Sequence, residues 1–83
     1  MPSLSLEIIS PSGIIFKGDC HMAVIPSVSG EIGVMHGHEA VIASLQEGQV
    51  IAYDDKQIPI KIVDVKSGFA EMQSLEKLLI LVD

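Results

Sequence analysis

Gly30-Glu31-Ile32-Gly33-Val34-Met35-His36-Gly37-His38 places three glycines within the eight positions 30–37. Glycine reaches backbone conformations that a side chain forbids, so such a stretch reads as a chain that changes direction. The spacing predicts a tight turn in which Gly30 and Gly33 bracket Glu31. An apolar pair follows, Val34-Met35, and a Gly37-His38 step turns the chain back. A segment so constrained is expected to present Glu31 and His38 at the rim of a scaffold. Gly33, Gly37 and, further on, Gly68 are read as turn-formers.

Outward from this stretch, the apolar residues recur every second position, which is the mark of half-buried strands. Leu4, Leu6 and Ile8 alternate with Ser5 and Glu7, and Ser10-Pro11-Ser12-Gly13 turns the chain. Ile14 to Gly18 reads as a second strand and Cys20 to Ile25 as a third, stopped by Pro26-Ser27. The span from Glu39 to Leu45 fits a helical face through Val41, Ile42 and Leu45, but its short length and Gly48 favour a strand. Gln49 to Tyr53 and Ile58 to Val65 read as a hairpin around Asp54-Asp55-Lys56-Gln57, with Pro59 at an edge. Ser67-Gly68 starts another turn, Phe69 to Met72 is short, and Lys77 to Val82 closes the chain. The expected fold is all-β, a small β-sandwich of about eight to ten short, mostly antiparallel strands, in one domain over residues 1–83. No internal repeat or linker interrupts it.

Three strands are apolar at successive positions: Ile14-Ile15-Phe16, Val50-Ile51-Ala52 and Leu78 to Val82. A sandwich strand needs only one apolar face. Their second faces are expected to lie under a turn of the same chain or against another protein. The composition agrees, because 48% hydrophobic residues and a mean hydropathy of +0.48 are high for a solitary domain of 83 residues.

The net charge is −6, with only five Lys or Arg. No basic cluster exists to track phosphates, so neither nucleic acid nor an anionic membrane surface is an expected partner. A single Cys20 rules out an intramolecular disulfide. The first residues form no signal peptide, and the longest apolar run, Leu78 to Val82, is too short to span a bilayer. A soluble, intracellular chain is the expectation.

The chemistry-bearing residues are few. His36-x-His38 on an extended segment would point both imidazoles to one side, which suits a divalent metal. No carboxylate or third His follows at ligand spacing, so rim histidines are the commoner reading. Asp19-Cys20-His21 places a thiol beside an imidazole, yet adjacent strand residues face opposite sides, which leaves Cys20 as a small core hydrophobe. Asp54-Asp55-Lys56 at a hairpin tip is similar to the lysine turn of lipoyl or biotinyl carrier domains. The spacing from Asp19 to Lys56 is too long for that pattern, and a solvated turn lysine is the simpler reading. Glu31, with no paired acid, is a poor general acid or base and a good docking acceptor. No cofactor, catalytic residue or metal site is expected.

Taken together, these motifs resemble the N-terminal β-sandwich domain of the epsilon subunit of F-type ATP synthase, called delta in mitochondria. Leu6-Glu7-Ile8-Ile9-Ser10-Pro11 resembles the opening strand, and Phe16-x-Gly18 follows at the family's interval. Gly30 to His38 resembles the Gly-Glu-Leu-Gly-Ile-x-Pro-Gly-His signature. Ala43 to Gly48 and Ser67-Gly68-Phe69-Ala70-Glu71-Met72 match later turns. His36 stands where the family has proline, and Glu39 where it has a small residue. The resemblance implies a non-catalytic rotor subunit of the central stalk, packed on the gamma subunit and the c-ring and coupling proton flow to ATP synthesis. By matching position it implies that Ser29, Gly30 and Glu31 face the c-ring, and that Ser10, His38 and Ala43 lie toward gamma. It also implies a peripheral place on the cytoplasmic face of a bacterial inner membrane, reached only through the complex. Family members commonly continue into two C-terminal helices that inhibit hydrolysis and in some members bind ATP. This chain stops at Asp83, so both properties are expected to be absent.

Overall fold

The structure is a computed structural model that describes residues 3–38 and 41–83. Nine strands form within them: β1 (Leu4–Ser10), β2 (Gly13–Cys20), β3 (Met22–Ser27), β4 (Gly30–Met35), β5 (Ile42–Leu45), β6 (Gly48–Tyr53), β7 (Pro59–Val65), β8 (Gly68–Ser74) and β9 (Lys77–Val82). The all-β, mostly antiparallel sandwich expected from the alternation is the observed fold. The single parallel pairing among these strands is β1 with β9, Leu6 opposite Leu78 and Ile8 opposite Ile80.

One long hairpin supplies half of the fold. Ile42 faces Glu71 and Leu45 faces Gly68 in the β5–β8 pairing; Gly48 faces Val65 and Val50 faces Val63 in the β6–β7 pairing. The register is the same throughout. β5 and β6 are therefore one arm, β7 and β8 the other, bent where Gln46-Glu47 oppose Lys66-Ser67. The bend carries the hairpin from one layer, β2-β1-β9-β8-β5, into the other, β4-β3-β6-β7. Strands that switch sheets through such an irregularity are how small sandwiches make corners. β3 holds the corner. Ser27 pairs with Leu45 and Met22 with Tyr53, while Val28 N–H donates to the Ser44 carbonyl and Gln46 N–H to the Pro26 carbonyl, both at 2.9 Å.

The core lies between the layers. Leu4, Leu6, Ile8, Leu78 and Ile80 are fully buried from one side, and Ala23, Ile25, Val34, Val50 and Ala52 from the other. Burying each large side chain stabilises the fold by about 1.5–3 kcal/mol. These residues occupy alternate positions, so the neighbours of each point outward, and that decides what the surface carries.

Several boundaries differ from expectation. β2 runs on to Cys20, and the third strand starts only after a bend at His21. Pro26 and Ser27 belong to β3 instead of stopping it. Pro26 faces Glu31 across the β3–β4 pair; its ring leaves it no N–H to donate, and its carbonyl accepts from Gln46 N–H. The glycine-rich stretch is a strand for most of its length. The turn before it is Val28-Ser29, with Gly30 at φ +120°, and Glu31 and Gly33 lie inside β4. Gly33 is thus no turn-former: it faces Val24 in regular extended backbone. Gly37 and Gly68 do sit at direction changes, at φ +83° and +156°. Residues 39 and 40 of the ambiguous span lie outside the described residues, and Ile42–Leu45 is strand.

Candidate functional site

The outer faces of the two layers carry the surplus apolar surface. On the five-stranded layer, Ile9 pairs with Ile14 on one side and Leu81 on the other, and Leu81 pairs with Phe69. The next row outward runs Glu7, Leu79, Glu71, Ile42 across β1, β9, β8 and β5. Ile42 is 76% exposed, Phe69 56% and Leu81 47%. A groove of about 280 Å³ lies among Ile42, Phe69, Ala70, Glu71, Leu79 and Leu81. The other layer has a row of Val24, Ile51 and Ile62 on β3, β6 and β7, beside Met22 set between Met35 and Tyr53. The expectation of strands apolar on both sides is met at Ile51, Leu79 and Leu81, whose neighbours Val50, Ala52, Leu78, Ile80 and Val82 fill the core. Phe69 was not singled out in the sequence, and Ile42 only as part of a helical face; the signal for their exposure was the alternation around Ala43 and Ala70.

The pairings also fix which loops share an end. Ile9, Val82, Gly68, Leu45, Ser27 and Gly30 are at or next to mutually paired positions, so the turn at Pro11-Ser12, the Val28-Ser29 turn and the bend at Gln46-Glu47 lie at one end of the sandwich. Ser10, Ser29, Gly30 and Glu31 are therefore brought to the same end. His38 is at the opposite end, where its N–H donates to the Met35 carbonyl and Gly37 N–H donates to Leu75. Four residues of extended chain, roughly 13 Å, separate Glu31 from Met35, so the rim does not present Glu31 and His38 together. Ala43 turns its side chain toward the core and packs against it, as Phe16, Ile32 and Val41 also do. The end bearing Glu31 is acidic. A recess of about 630 Å³ there is lined by Glu47, Gln49, Asp64, Lys66 and Asp83, with the Gln49 amide donating to Asp64 at 3.0 Å.

The sequence's reactive candidates take other roles. His36 and Gly37 form a turn in place of an extended run, so His36 and His38 do not share a strand face; His36 Nε2 lies 3.9 Å from Glu76 Oε2. Among the described residues no three of His, Cys, Asp and Glu come together as a metal site. His21 is in a bend, so the strand argument separating it from Cys20 does not apply. Both line one cleft of about 240 Å³ with Asp19, Asp54 and Asp55. Burial pushes the Cys20 thiol up to about 11, with the Asp19 charge adding to it, which keeps it protonated and weakly nucleophilic. Lys56 is exposed at the hairpin tip, where its N–H donates to the Asp54 carboxylate at 2.8 Å. No helix among the described residues is long and apolar enough to cross a membrane.

The geometry is that of a bent, two-layer β-sandwich with apolar outer faces and an acidic end, surfaces of the kind that partners cover. The chain belongs to the ATP synthase delta/epsilon chain β-sandwich domain family, whose model matches residues 3–83. It is 39% identical over 69 residues to the ATP synthase epsilon chain of Campylobacter lari, covering 83% of this chain and 52% of that protein. It is 38% identical over 84 residues to the epsilon chain of Staphylococcus saprophyticus, covering 99% of this chain and 60% of that protein. The chain thus spans about half the length of these curated relatives. Its fold is similar to a chain in the Euglena gracilis mitochondrial ATP synthase, solved as OSCP, F1 and c-ring (TM-score 0.87, 19% identity, 99% of this chain and 51% of that one). It is also similar to a chain in the central stalk and c-ring of the Tetrahymena thermophila mitochondrial enzyme (TM-score 0.77, 10% identity, 95% of this chain and 62% of that one).

Proposed function

We propose that this chain acts as a non-catalytic rotor component of an F-type ATP synthase central stalk, held between the gamma subunit and the c-ring and helping couple proton flow to ATP synthesis. The observation that carries the reading is the pair of apolar outer faces on a domain of this family. Outer rows such as Leu81–Phe69 and Val24–Ile51–Ile62 lie outside the core, exposed at Leu81, Phe69 and Ile62 and half-buried at Val24 and Ile51. Covering them with a partner recovers further burial energy. Membership of the family supports this choice of partners, and the relatives are epsilon chains. In this reading Ser29, Gly30 and the exposed Glu31 meet the polar loops of the c-ring, where the acidic end favours basic or amide side chains. Ser10, His38 and Ala43 are assigned to gamma. A partner touching all three would run the length of the sandwich and meet β5 along its backbone at Ala43. The location that follows is the cytoplasmic face of a bacterial inner membrane, through the complex. The carrier-domain alternative at Lys56 has no support from the family match.

Co-expression with tagged gamma and solubilised c-ring tests this. The chain should co-purify with gamma at constant stoichiometry and be retained with the ring. Failure to associate with either, at concentrations where the chain is folded, would overturn the reading.

A further inference from the structure

We infer that the groove on the outer face of β5, β8 and β9 seats an apolar partner segment carrying one Lys or Arg, and that Glu71 is the acceptor of that charge. The inference rests on the stalk reading and names the chemistry by which the partner is selected. Glu71 stands between Leu79 and Ile42 in the cross-strand row, with Phe69 and Leu81 in the row beside it. All five line the same groove. The neighbouring carboxylate in that row, Glu7, already holds Lys77 at 3.5 Å. Among the described residues Glu71 has neither an ion pair nor a side-chain hydrogen bond, although it lies among Ile42, Phe69, Leu79 and Leu81.

While the groove is open, water solvates the Glu71 carboxylate. A partner that covers Ile42, Phe69 and Leu81 strips that water away. An uncompensated buried carboxylate is strongly unfavourable, so a purely apolar partner is penalised and one bringing a cation is favoured. The net charge of −6 adds long-range attraction for a basic segment. A second copy of this chain fits badly. An isologous contact turns the same patch on itself, and among the described residues that patch brings no free cation to Glu71, since Glu7 already holds Lys77.

The test uses the full 83-residue chain and the gamma subunit of the same complex, with affinity measured by calorimetry at low and high salt. Glu71→Gln should weaken binding by about tenfold or more and flatten the salt dependence. Glu71→Lys should abolish binding, and Phe69→Ser should weaken it at both salt concentrations. Asp55→Asn, at the far hairpin tip, should leave affinity unchanged. Position 71 is exposed, so melting temperatures of its variants should match the parent. If the parent binds gamma and Glu71→Lys binds equally well, the inference fails and the stalk reading survives. If the parent does not bind gamma, both fail. If the parent instead forms a dimer that Phe69→Ser dissociates, the face belongs to a second copy and the inference is overturned.

Discussion

Gly48 sits directly against the ring of Pro26: a Cβ built on Gly48 would stand 2.8 Å from Pro26 Cβ. The contact is at the corner where the long hairpin passes from one layer to the other. Neither group can retreat, since one is backbone and the other a closed ring. Gly48→Ala should therefore cost about 1–3 kcal/mol in urea unfolding, as overpacking does elsewhere. Pro26→Gly, which removes that Cβ, should offset part of the added clash when combined with Gly48→Ala. A double-mutant cycle with no coupling would show that the corner is not held by this contact.

Gly68 and Gly30 both have positive φ, but their surroundings differ. A side chain at 68 would run into the carbonyl of Leu81, while the space around Gly30 is open. Gly30→Ala should cost only its backbone strain, about 1–3 kcal/mol. Gly68→Ala carries strain and a clash with a central strand, and should lose the cooperative thermal transition. Equal melting temperatures for the two variants would refute the distinction.

Burial holds the Cys20 thiol protonated up to about 11, above its ordinary value of 9.0. Between those values the unfolded chain releases a proton that the folded chain keeps, so unfolding is favoured as pH rises. The stability due to this group is full below pH 9, falls from pH 9 to 11, and levels off above. Cys20→Ala should remove that slope from a plot of denaturation midpoint against pH. At pH 8 a thiol reagent should label the native chain only as fast as it opens.

Asp54 organises the β6–β7 hairpin tip. One carboxylate oxygen accepts from the N–H groups of Lys56 at 2.8 Å and Ile58 at 2.9 Å, and the left-handed Gln57 follows at φ 64°. Asp54→Ala strands both donors and should cost about 1–2 kcal/mol, with Asp54→Asn milder because the amide oxygen still accepts. Gln57→Gly should stabilise the tip by relieving its φ. If Asp54→Ala unfolds at the parent's denaturant midpoint, water has replaced the carboxylate without loss.

Much of the fold was legible in the chain because strand burial alternates locally. Leu4, Leu6 and Ile8, or Leu78, Ile80 and Val82, announce a buried face with no knowledge of their partners. Boundaries set by distant contacts were not legible. Pro26 reads as a stop, yet it lies within β3, paired with Glu31 and accepting the Gln46 N–H through its carbonyl, contacts made with residues distant in the chain. The glycine-rich stretch reads as a turn, yet Gly33 is extended, lying close to the Met22 sulfur. For the surfaces, the doubled apolar runs showed that outer faces exist. They could not show that Ile42, Phe69, Glu71, Leu79 and Leu81, from three strands, meet in one groove.

Alone, the sequence determined the all-β class, the core residues and the surplus of apolar surface, since each follows from side-chain order along a strand of period two. The tertiary structure decided that β5 to β8 are one bent hairpin and that β9 enters parallel beside β1. It also separated Glu31 and His38 to opposite ends. Those facts depend on register between segments far apart in the chain, and register is set by how the whole core closes, not by any stretch of residues read singly.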